Sequence, residues 1–217
     1  YITGKKSFLS WEFQVTPAVL VPRPETEILV ERVVEECRKL TTGRLLELGT
    51  GSGIIAISLA HYLPGFQIDA VDLSPAALEV AAANAEAHQQ KERINFYCGN
   101  LYAALSMDSG SRYTGIVTNP PYIPTAVIPT LAKEVQQEPR VALDGGPDGT
   151  EVIRRILAEA PHWLVPGGFL ALEHGYDQLP EIQKMAMEAG FTEIASYQDY
   201  AGWPRVAVCR RGTPPLS

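Results

Sequence analysis

Residues 44 to 53 decide the fold: Arg44-Leu45-Leu46-Glu47-Leu48-Gly49-Thr50-Gly51-Ser52-Gly53. The first five residues form a short, mostly apolar run that predicts a buried strand, and residues 54–63 continue as an apolar helix. Glycines between a strand and a helix allow the backbone to turn tightly and let a ligand approach the helix N-terminus. We therefore predict that a cofactor binds along this loop, at Gly49, Thr50, Gly51, Ser52 and Gly53.

The glycine spacing and a carboxylate further along the chain narrow the class of ligand. A dinucleotide-binding loop follows G-x-G-x-x-G, and its third glycine would fall at Ile54. The chain has G-x-G-x-G instead, which disfavours an oxidoreductase that binds a dinucleotide. Residues 67–71 predict a second strand that ends at Asp72, where such folds place a carboxylate on ribose hydroxyls. Asp72 is therefore predicted to bind the cofactor.

Two further predicted strands also end in polar residues. Residues 94–98 lead to Asn100 and Leu101, which would bond the edge of an adenine and pack on its face. Asn100 is equally consistent with a simple turn residue. Residues 115–118 form a strand that ends at Asn119. Because ligands of open parallel sheets bind at the carboxyl ends of the strands, we expect all these elements to share one edge.

The tetrapeptide Asn119-Pro120-Pro121-Tyr122 predicts the reacting centre. Two prolines have no N–H groups and fixed φ, so the chain leaves the sheet rigidly with unused carbonyl oxygens. A planar group with an NH2 could donate to the Asn119 side-chain oxygen and the Pro120 carbonyl while Tyr122 covers its face. We assign catalysis to Asn119, Pro120 and Tyr122, substrate binding to all four residues, and a cofactor contact also to Asn119. The alternative is a turn after an edge strand.

The N-terminal segment predicts a hairpin and a stiff loop. Trp11, Phe13 and Val15 alternate with polar residues, as in a strand with one covered face. A helix is expected to begin near Pro24 and to carry an apolar stripe as far as residue 40. Arg23, Glu25, Thr26 and Glu27 are then placed on the rim of the site, with Arg23 and Glu25 as substrate-binding residues. Equally, the first-turn acids could merely complement the helix dipole.

The order of elements predicts an α/β fold with an open, mostly parallel sheet and helices on both faces. Residues 192–197 and 205–209 give two closing strands that could pair. Residues 123–140 predict a long loop or short helix over the site, and residues 143–149 form a second glycine-rich loop. A turn at 166–168 is expected to lead into a strand at 169–173. We divide the chain into a hairpin and linker, 1–22, and a catalytic domain, 23–212.

Composition excludes several other classes. The net charge of −7 argues against tight sequence-independent nucleic-acid binding, which needs a basic face. The three cysteines form no C-x-x-C pair and the four histidines are scattered, so we expect neither disulfides nor a bound metal. No apolar run is long enough to span a bilayer and no signal peptide is visible, so a cytoplasmic location is the default. The chain opens on Tyr1 without a methionine, which suggests a fragment.

With these motifs in place, the chain resembles the release-factor glutamine methyltransferases of the HemK/PrmC type, within the seven-stranded S-adenosylmethionine-dependent methyltransferases. The resemblance runs nearly end to end and rests on five motifs: Val21-Pro22-Arg23-Pro24-Glu25-Thr26-Glu27, Glu47-Leu48-Gly49-Thr50-Gly51-Ser52-Gly53, Asn119-Pro120-Pro121-Tyr122, Glu138-Pro139 with Ala142-Leu143-Asp144-Gly145-Gly146, and Leu172-Glu173 with Gly175-Tyr176-Asp177-Gln178. The proline-arginine loop is specific only together with Asn-Pro-Pro-Tyr.

The resemblance implies a Rossmann-like sheet of seven strands, S-adenosylmethionine as cofactor, and methylation of the glutamine in the Gly-Gly-Gln motif of a peptide chain release factor. It also implies a small helical N-terminal domain that this chain starts after; we expect a monomer. Two departures stand out. Asn100 replaces the family's usual aspartate, and the Asp-x-Ala-Gly-x-Asp-Arg ending appears as Asp199-Tyr200-Ala201-Gly202-Trp203-Pro204-Arg205, which loses an acid.

Two rival functions remain at this point. An adenine amino-methyltransferase acting on DNA or RNA would use the same acceptor pocket, but it needs a flipped base and a basic groove. A catalytically idle module that only binds S-adenosylmethionine would not need the tetrapeptide. For a glutamine methyltransferase that works by positioning alone, we expect a chemical step that is nearly independent of pH between about 6.5 and 9, because neither Asn119 nor the Pro120 carbonyl titrates there. A general base such as His174, Glu25 or Glu173 would instead make the rate rise about tenfold per pH unit within that range.

Overall fold

The computed structural model of the chain describes residues 4–106 and 112–213, so the first three residues of the predicted hairpin segment lie outside the described residues. The strands are β1 (Lys5–Phe8), β2 (Trp11–Gln14), β3 (Gly43–Leu48), β4 (Phe66–Asp72), β5 (Ile94–Cys98), β6 (Tyr113–Thr118), β7 (Leu164–Glu173), β8 (Phe191–Gln198) and β9 (Pro204–Arg211). The helices are α1 (Glu25–Cys37), α2 (Ile54–Tyr62), α3 (Pro75–Ala87), α4 (Lys133–Gln136), α5 (Glu151–Trp163) and α6 (Leu179–Glu188). Short 3-10 turns cover Lys91–Arg93, Leu101–Ala104, Ile128–Thr130 and Arg140–Ala142.

Seven strands form one sheet in the order β5-β4-β3-β6-β7-β9-β8, and β1 and β2 form a separate antiparallel hairpin. Strands β3 to β7 are parallel to one another, whereas β9 runs antiparallel to both β7 and β8. The predicted fold class is therefore confirmed. The order reverses at β3, since the chain builds outward to β5 and then crosses back to β6. Such a reversal leaves a crevice at the carboxyl ends of the strands.

Alternating side chains of the sheet supply two cores, one on each face. On β3, Leu45 packs with α1 and α2 on one face, and Leu46 packs with α5 and α6 on the other. Val117 and Ile116 on β6 divide in the same way. Strands that are covered on both faces need apolar residues at nearly every position, which explains the unbroken apolar runs in the sequence.

The hairpin packs directly on the catalytic fold. Phe8 and Phe13 are 1% and 0% exposed and join the core formed with α1 and α2. The Gln14 N–H donates to Asn84 Oδ1 on α3, at 2.9 Å. The Leu9 N–H donates to the Glu27 carboxylate on α1, at 2.7 Å. The packing is thus continuous across the predicted boundary between residues 22 and 23.

Several strands extend one or two residues beyond their predicted bounds, and two elements differ from the prediction by more than that. Helix α1 ends at Cys37, and Leu40, predicted on its apolar stripe, is 46% exposed beyond it. Strand β7 begins at Leu164 and not at Phe169, so the predicted turn at 166–168 lies inside the strand. Tyr113 pairs with Leu164 and Gly115 pairs with Phe169, which leaves extra residues on β7 between the two pairs. The glycines accommodate this bulge, and Gly167 adopts a φ of +76° there.

Among the described residues, no helix combines the length and the apolar character needed to cross a membrane.

Candidate active site

The glycine loop is fastened to the end of β4. The N–H groups of Gly49 and Thr50 both donate to the Val71 carbonyl, at 2.8 and 3.0 Å. Gly49 and Gly51 have φ values of +76° and +55°, a conformation that favours glycine. A Cβ added at either residue would meet no protein atom within 4 Å. The loop therefore presents bare backbone to open space at the N-terminal end of α2.

Asp72 lies beside this loop and can accept more hydrogen bonds than it receives from the protein. One carboxylate oxygen accepts the Gly51 N–H at 2.8 Å, and the other accepts the Ser74 N–H at 2.9 Å. An ionised carboxylate offers about four lone-pair sites, so two more donors can be accepted. Asp72 lines a cavity with Gly51, as predicted from its position at the end of the second parallel strand. Hydroxyl groups of a ribose are donors of the required kind.

Glu47 secures the loop from behind, a role that the sequence analysis missed. Its Oε2 accepts the Thr50 hydroxyl at 2.7 Å and the Ala56 N–H at 3.1 Å, while Oε1 has no partner. The side chain is fully buried, and burial raises the pKa of the Glu47 carboxyl to about 8. The signal in the sequence is an acid within an apolar strand.

The loop and the strand ends enclose a cavity of about 720 Å³. This volume lies in the range usual for cofactor sites. The predicted site residues in its wall are Arg23, Gly49, Thr50, Gly51, Ser52, Asp72, Asn100, Leu101, Asn119 and Pro121. Gly53 does not line it, because its Cβ position is 3.1 Å from the Ala81 Cβ and its lack of a side chain lets α2 approach α3.

The residues that follow β5 line the larger cavity, and one of them has an unusual backbone conformation. Leu101 has a φ of +53°, a strained value for a residue with a branched side chain. Asn100 Oδ1 accepts from the Arg155 guanidinium on α5 at 3.1 Å, so this side chain is more than a turn residue. Arg155 also lines the cavity and was not singled out from the sequence.

A second cavity of about 220 Å³ adjoins the first. Arg23, Asn119, Pro120 and Tyr122 lie in its wall, and both Arg23 and Asn119 also line the larger cavity. The Arg23 guanidinium pairs with the buried carboxylate of Glu138, which holds it at this junction. Glu25, predicted on the rim, lines neither of these two cavities.

The second glycine-rich loop clamps the acceptor loop. The Gln178 side-chain amide donates to the carbonyls of Tyr122 and Gly149, at 3.0 and 3.1 Å. Gly149 has a φ of +75°, and a Cβ added there would lie 2.5 Å from the Tyr122 carbonyl oxygen. The Ile123 N–H donates to the Leu143 carbonyl at 3.0 Å. Residues 123–140, which were predicted to lie over the site, form a loop with short helical turns that include α4.

Behind the acceptor loop, Asn119 Nδ2 donates to Thr26 Oγ1 at 3.2 Å. The Thr26 hydroxyl donates to Glu173 Oε2 at 2.7 Å, and the Tyr122 hydroxyl donates to Glu173 Oε1 at 3.3 Å. Burial raises the pKa of the Glu173 carboxyl to about 7, against the lowering effect of its two hydroxyl donors. Burial also raises the pKa of Tyr122. The structure thus brings Thr26 and Glu173, from distant parts of the chain, against the predicted reacting centre.

Among the described residues, no three histidine, cysteine or acidic side chains cluster in a way that could hold a metal ion.

Comparison with known proteins defines the class first. The family model described as "Methyltransferase small domain" matches residues 24–199, so the chain is a methyltransferase. The fold is shared with the ribosomal protein L11 methylase of Lactobacillus delbrueckii subsp. bulgaricus, at a TM-score of 0.64 and 21% identity over 91% of this chain and 84% of that one. It is also shared with the N-terminal domain of human METTL16 in complex with SAH, at a TM-score of 0.67 and 17% identity over 93% and 76%.

Curated relatives then define the family. The "Release factor glutamine methyltransferase" of Moorella thermoacetica is 45% identical over 212 residues, which are 97% of this chain and 74% of that protein. The protein of the same name from Coxiella burnetii is also 45% identical, over 98% of this chain and 74% of its own length. The chain therefore belongs to the release factor glutamine methyltransferase family, as the resemblance predicted.

Proposed function

We propose that this protein transfers a methyl group from S-adenosylmethionine to the side-chain amide nitrogen of the glutamine in the Gly-Gly-Gln motif of peptide chain release factors. The observation that carries the proposal is the position of Asn119. Its side chain lies in the wall of both cavities, one large enough for a cofactor and one small enough for a single side chain. The group in the small cavity would thus meet the cofactor at this residue.

The larger cavity fits S-adenosylmethionine. Gly49 and Gly51 leave backbone exposed where a side chain would fill the space, and Asp72 keeps free lone pairs for ribose hydroxyls. Leu101 supplies an apolar wall, and Asn100 a polar edge beside it, for the adenine. When bound, S-adenosylmethionine supplies a methyl group already activated on a positively charged sulfur.

The smaller cavity accounts for the choice of an amide nitrogen. This nitrogen is a poor nucleophile because its lone pair is delocalised, and its two N–H groups are donors. Asn119 Oδ1 and the Pro120 carbonyl are acceptors that can hold both N–H groups and orient the nitrogen, while Tyr122 excludes water. Positioning of this kind is worth about 7–11 kcal/mol when the reacting atoms are held in line. As the N–C bond forms and the bond from sulfur to the methyl group breaks, the nitrogen becomes positively charged and then loses a proton readily to solvent, so no basic side chain needs to touch it.

An adenine amino group has the same donor geometry, so the acceptor loop alone does not choose between a glutamine and a base. The net charge of −7 disfavours a nucleic-acid substrate. The likeness to human METTL16 at 17% identity carries the fold and nothing further. A test must therefore offer both substrates.

The test is a methylation assay with labelled S-adenosylmethionine. We expect the label on the Gly-Gly-Gln peptide of a release factor, located by mass spectrometry on the glutamine side chain. A release factor with Gly-Gly-Glu is the matched control, since a carboxylate has no N–H to donate. Label on RNA or DNA, or equal label on the Gly-Gly-Glu protein, would overturn the proposal.

A further inference from the structure

The three hydrogen bonds behind the acceptor loop connect four side chains, of which the two in the middle are buried and the two at the ends are partly buried. Thr26 on α1 is 2% exposed and Glu173 at the end of β7 is 1% exposed. They connect Asn119 with Tyr122, because Thr26 joins Asn119 to one oxygen of the carboxylate and Tyr122 bonds to the other. We refer to Asn119, Thr26, Glu173 and Tyr122 as the relay. Thr26 lines the larger cavity but not the small one, and Glu173 lines neither.

The donors and acceptors on each side chain fix which group donates and which accepts at every step of the relay. An ionised carboxylate only accepts, so Glu173 takes the hydroxyl protons of both Thr26 and Tyr122. Thr26 Oγ1 has then used its one proton and can only accept from Asn119. The Asn119 amide therefore turns its NH2 inward toward Thr26. Its oxygen is left to face outward, where an acceptor is needed.

We propose that Thr26 and Glu173 are positioning residues that set which face of the Asn119 amide meets the substrate, and that the protonation of Glu173 reverses it. With a proton on Glu173, the carboxyl can donate to Thr26, and Thr26 can donate to Asn119 Oδ1. The amide then presents its NH2 to the small cavity. Two facing NH2 groups, one on Asn119 and one on the substrate, cannot bond to each other. This inference rests on the proposed glutamine substrate.

The groups that face Glu173 come from several elements. Glu25 on α1 raises its pKa, whereas Arg205 on β9 lowers it together with the hydroxyls of Thr26 and Tyr122. The neighbouring His174 is also buried, and burial lowers its pKa. Desolvation is the largest of these effects on Glu173 and places the titration near pH 7. A buried carboxyl at that point can change its charge within the physiological range.

The first experiment measures the single-turnover rate against pH, with enzyme saturated by S-adenosylmethionine and release factor. The wild-type rate should fall about tenfold from pH 8 to pH 6, as expected for one group that titrates near pH 7. Thr26→Val has nearly the same shape but no hydroxyl. Its rate should fall about tenfold to hundredfold at pH 8, on the scale of one lost hydrogen bond, and should no longer depend on pH. Thr26→Ser should restore both the rate and its fall from pH 8 to pH 6, which we call the pH limb.

Thr118→Val is the matched control. Thr118 is buried beside Asn119, but its hydroxyl donates to the Leu48 carbonyl at 2.8 Å and not to the relay. This variant should keep the pH limb. If Thr26→Val lowers the rate but keeps the limb, Thr26 is merely structural and the proposal is wrong. A limb that survives in Glu173→Gln would also overturn it.

A second experiment needs no turnover and so separates this inference from the proposed function. The side-chain NH2 of Asn119 is observed by nitrogen-15 NMR and assigned with Asn119→Ala. Its resonances should shift between pH 6 and pH 8 in the wild type and stay fixed in Thr26→Val and Glu173→Gln. Resonances that do not move in the wild type would refute the relay, even if the release factor is methylated. Shifts that follow the relay would support it even if the substrate proved to be another amide.

Discussion

Glu47→Gln tests whether a buried acid under the glycine loop is held in its neutral form. Glu47 is fully buried, and only one of its carboxyl oxygens has partners, Thr50 and Ala56. Glutamine has nearly the same size, and its oxygen can accept from the same two donors. Its NH2 would take the place of the unpaired oxygen. The variant therefore replaces a group that titrates with one that does not.

The size of the pH-dependent change in stability follows from the pKa of Glu47, which burial raises from 4.5 to about 8 in the folded protein. Because the folded state holds the proton more tightly than the unfolded state, the contribution to stability is complete below pH 4.5. It is lost as the pH rises to about 8. Each pKa unit corresponds to about 1.4 kcal/mol, so the full change is on the order of 5 kcal/mol. The stability of Glu47→Gln should not fall in this way as the pH rises.

The assay is urea denaturation of both proteins at intervals from pH 5 to pH 9. We expect the stability of the wild type to fall by several kcal/mol relative to Glu47→Gln over that range. The unpaired NH2 of the variant adds a cost that does not vary with pH, so only the difference in slope is informative. Parallel curves for the two proteins would show that Glu47 ionises normally, and the argument from burial would fail.

Three further predictions concern the two loops. Asp72→Ala should weaken S-adenosylmethionine binding by about 1–3 kcal/mol, since hydrogen bonds to a carboxylate are lost, and unchanged affinity in calorimetry would remove Asp72 from the site. Asn119→Ala should lose little cofactor affinity, because the glycine loop and Asp72 remain, but at least about a hundredfold in turnover, and near-normal turnover would reject the acceptor pocket. Gly149→Ala should lower the melting temperature and turnover together, because its Cβ would meet the Tyr122 carbonyl. Gly190→Ala is the control, since that glycine also has positive φ but open space around it, and an equal loss of turnover there would contradict the clash.

The loops could be predicted from the sequence because each follows its own strand. Once strands β3 to β6 are known to be parallel, their carboxyl ends meet at one edge, and Gly51, Asp72 and Asn119 need no further information to be brought together. The hydrogen-bond partners of these residues were harder to predict from the sequence. The bond from Thr26 to Glu173 joins residues 147 positions apart, and it depends on how α1 packs against β7. No local pattern encodes that distance.

Burial is the second kind of information that the sequence lacks. Glu47 is visible as an acid inside an apolar run, yet its charge depends on the solvent that the folded core excludes. Gly53 shows the same limit, since it belongs to the glycine motif but serves the packing of α2 on α3. A motif identifies the loop. Only the fold decides which of its residues face the ligand.

The expectation that the chemical step is nearly independent of pH rests on the residues that touch the substrate. The relay predicts the opposite, because it adds Glu173, and the single-turnover rates decide between the two. Burial raises the pKa of the Glu173 carboxyl to about 7, but its side chain is 1% exposed and lines neither cavity, so it cannot take a proton from the glutamine nitrogen directly. A pH limb therefore does not imply a general base in this site. If Glu173 were the base, removing the Thr26 hydroxyl would leave its carboxylate and the limb in place. If it acts through the relay, the limb depends on a hydroxyl that never exchanges a proton with the substrate.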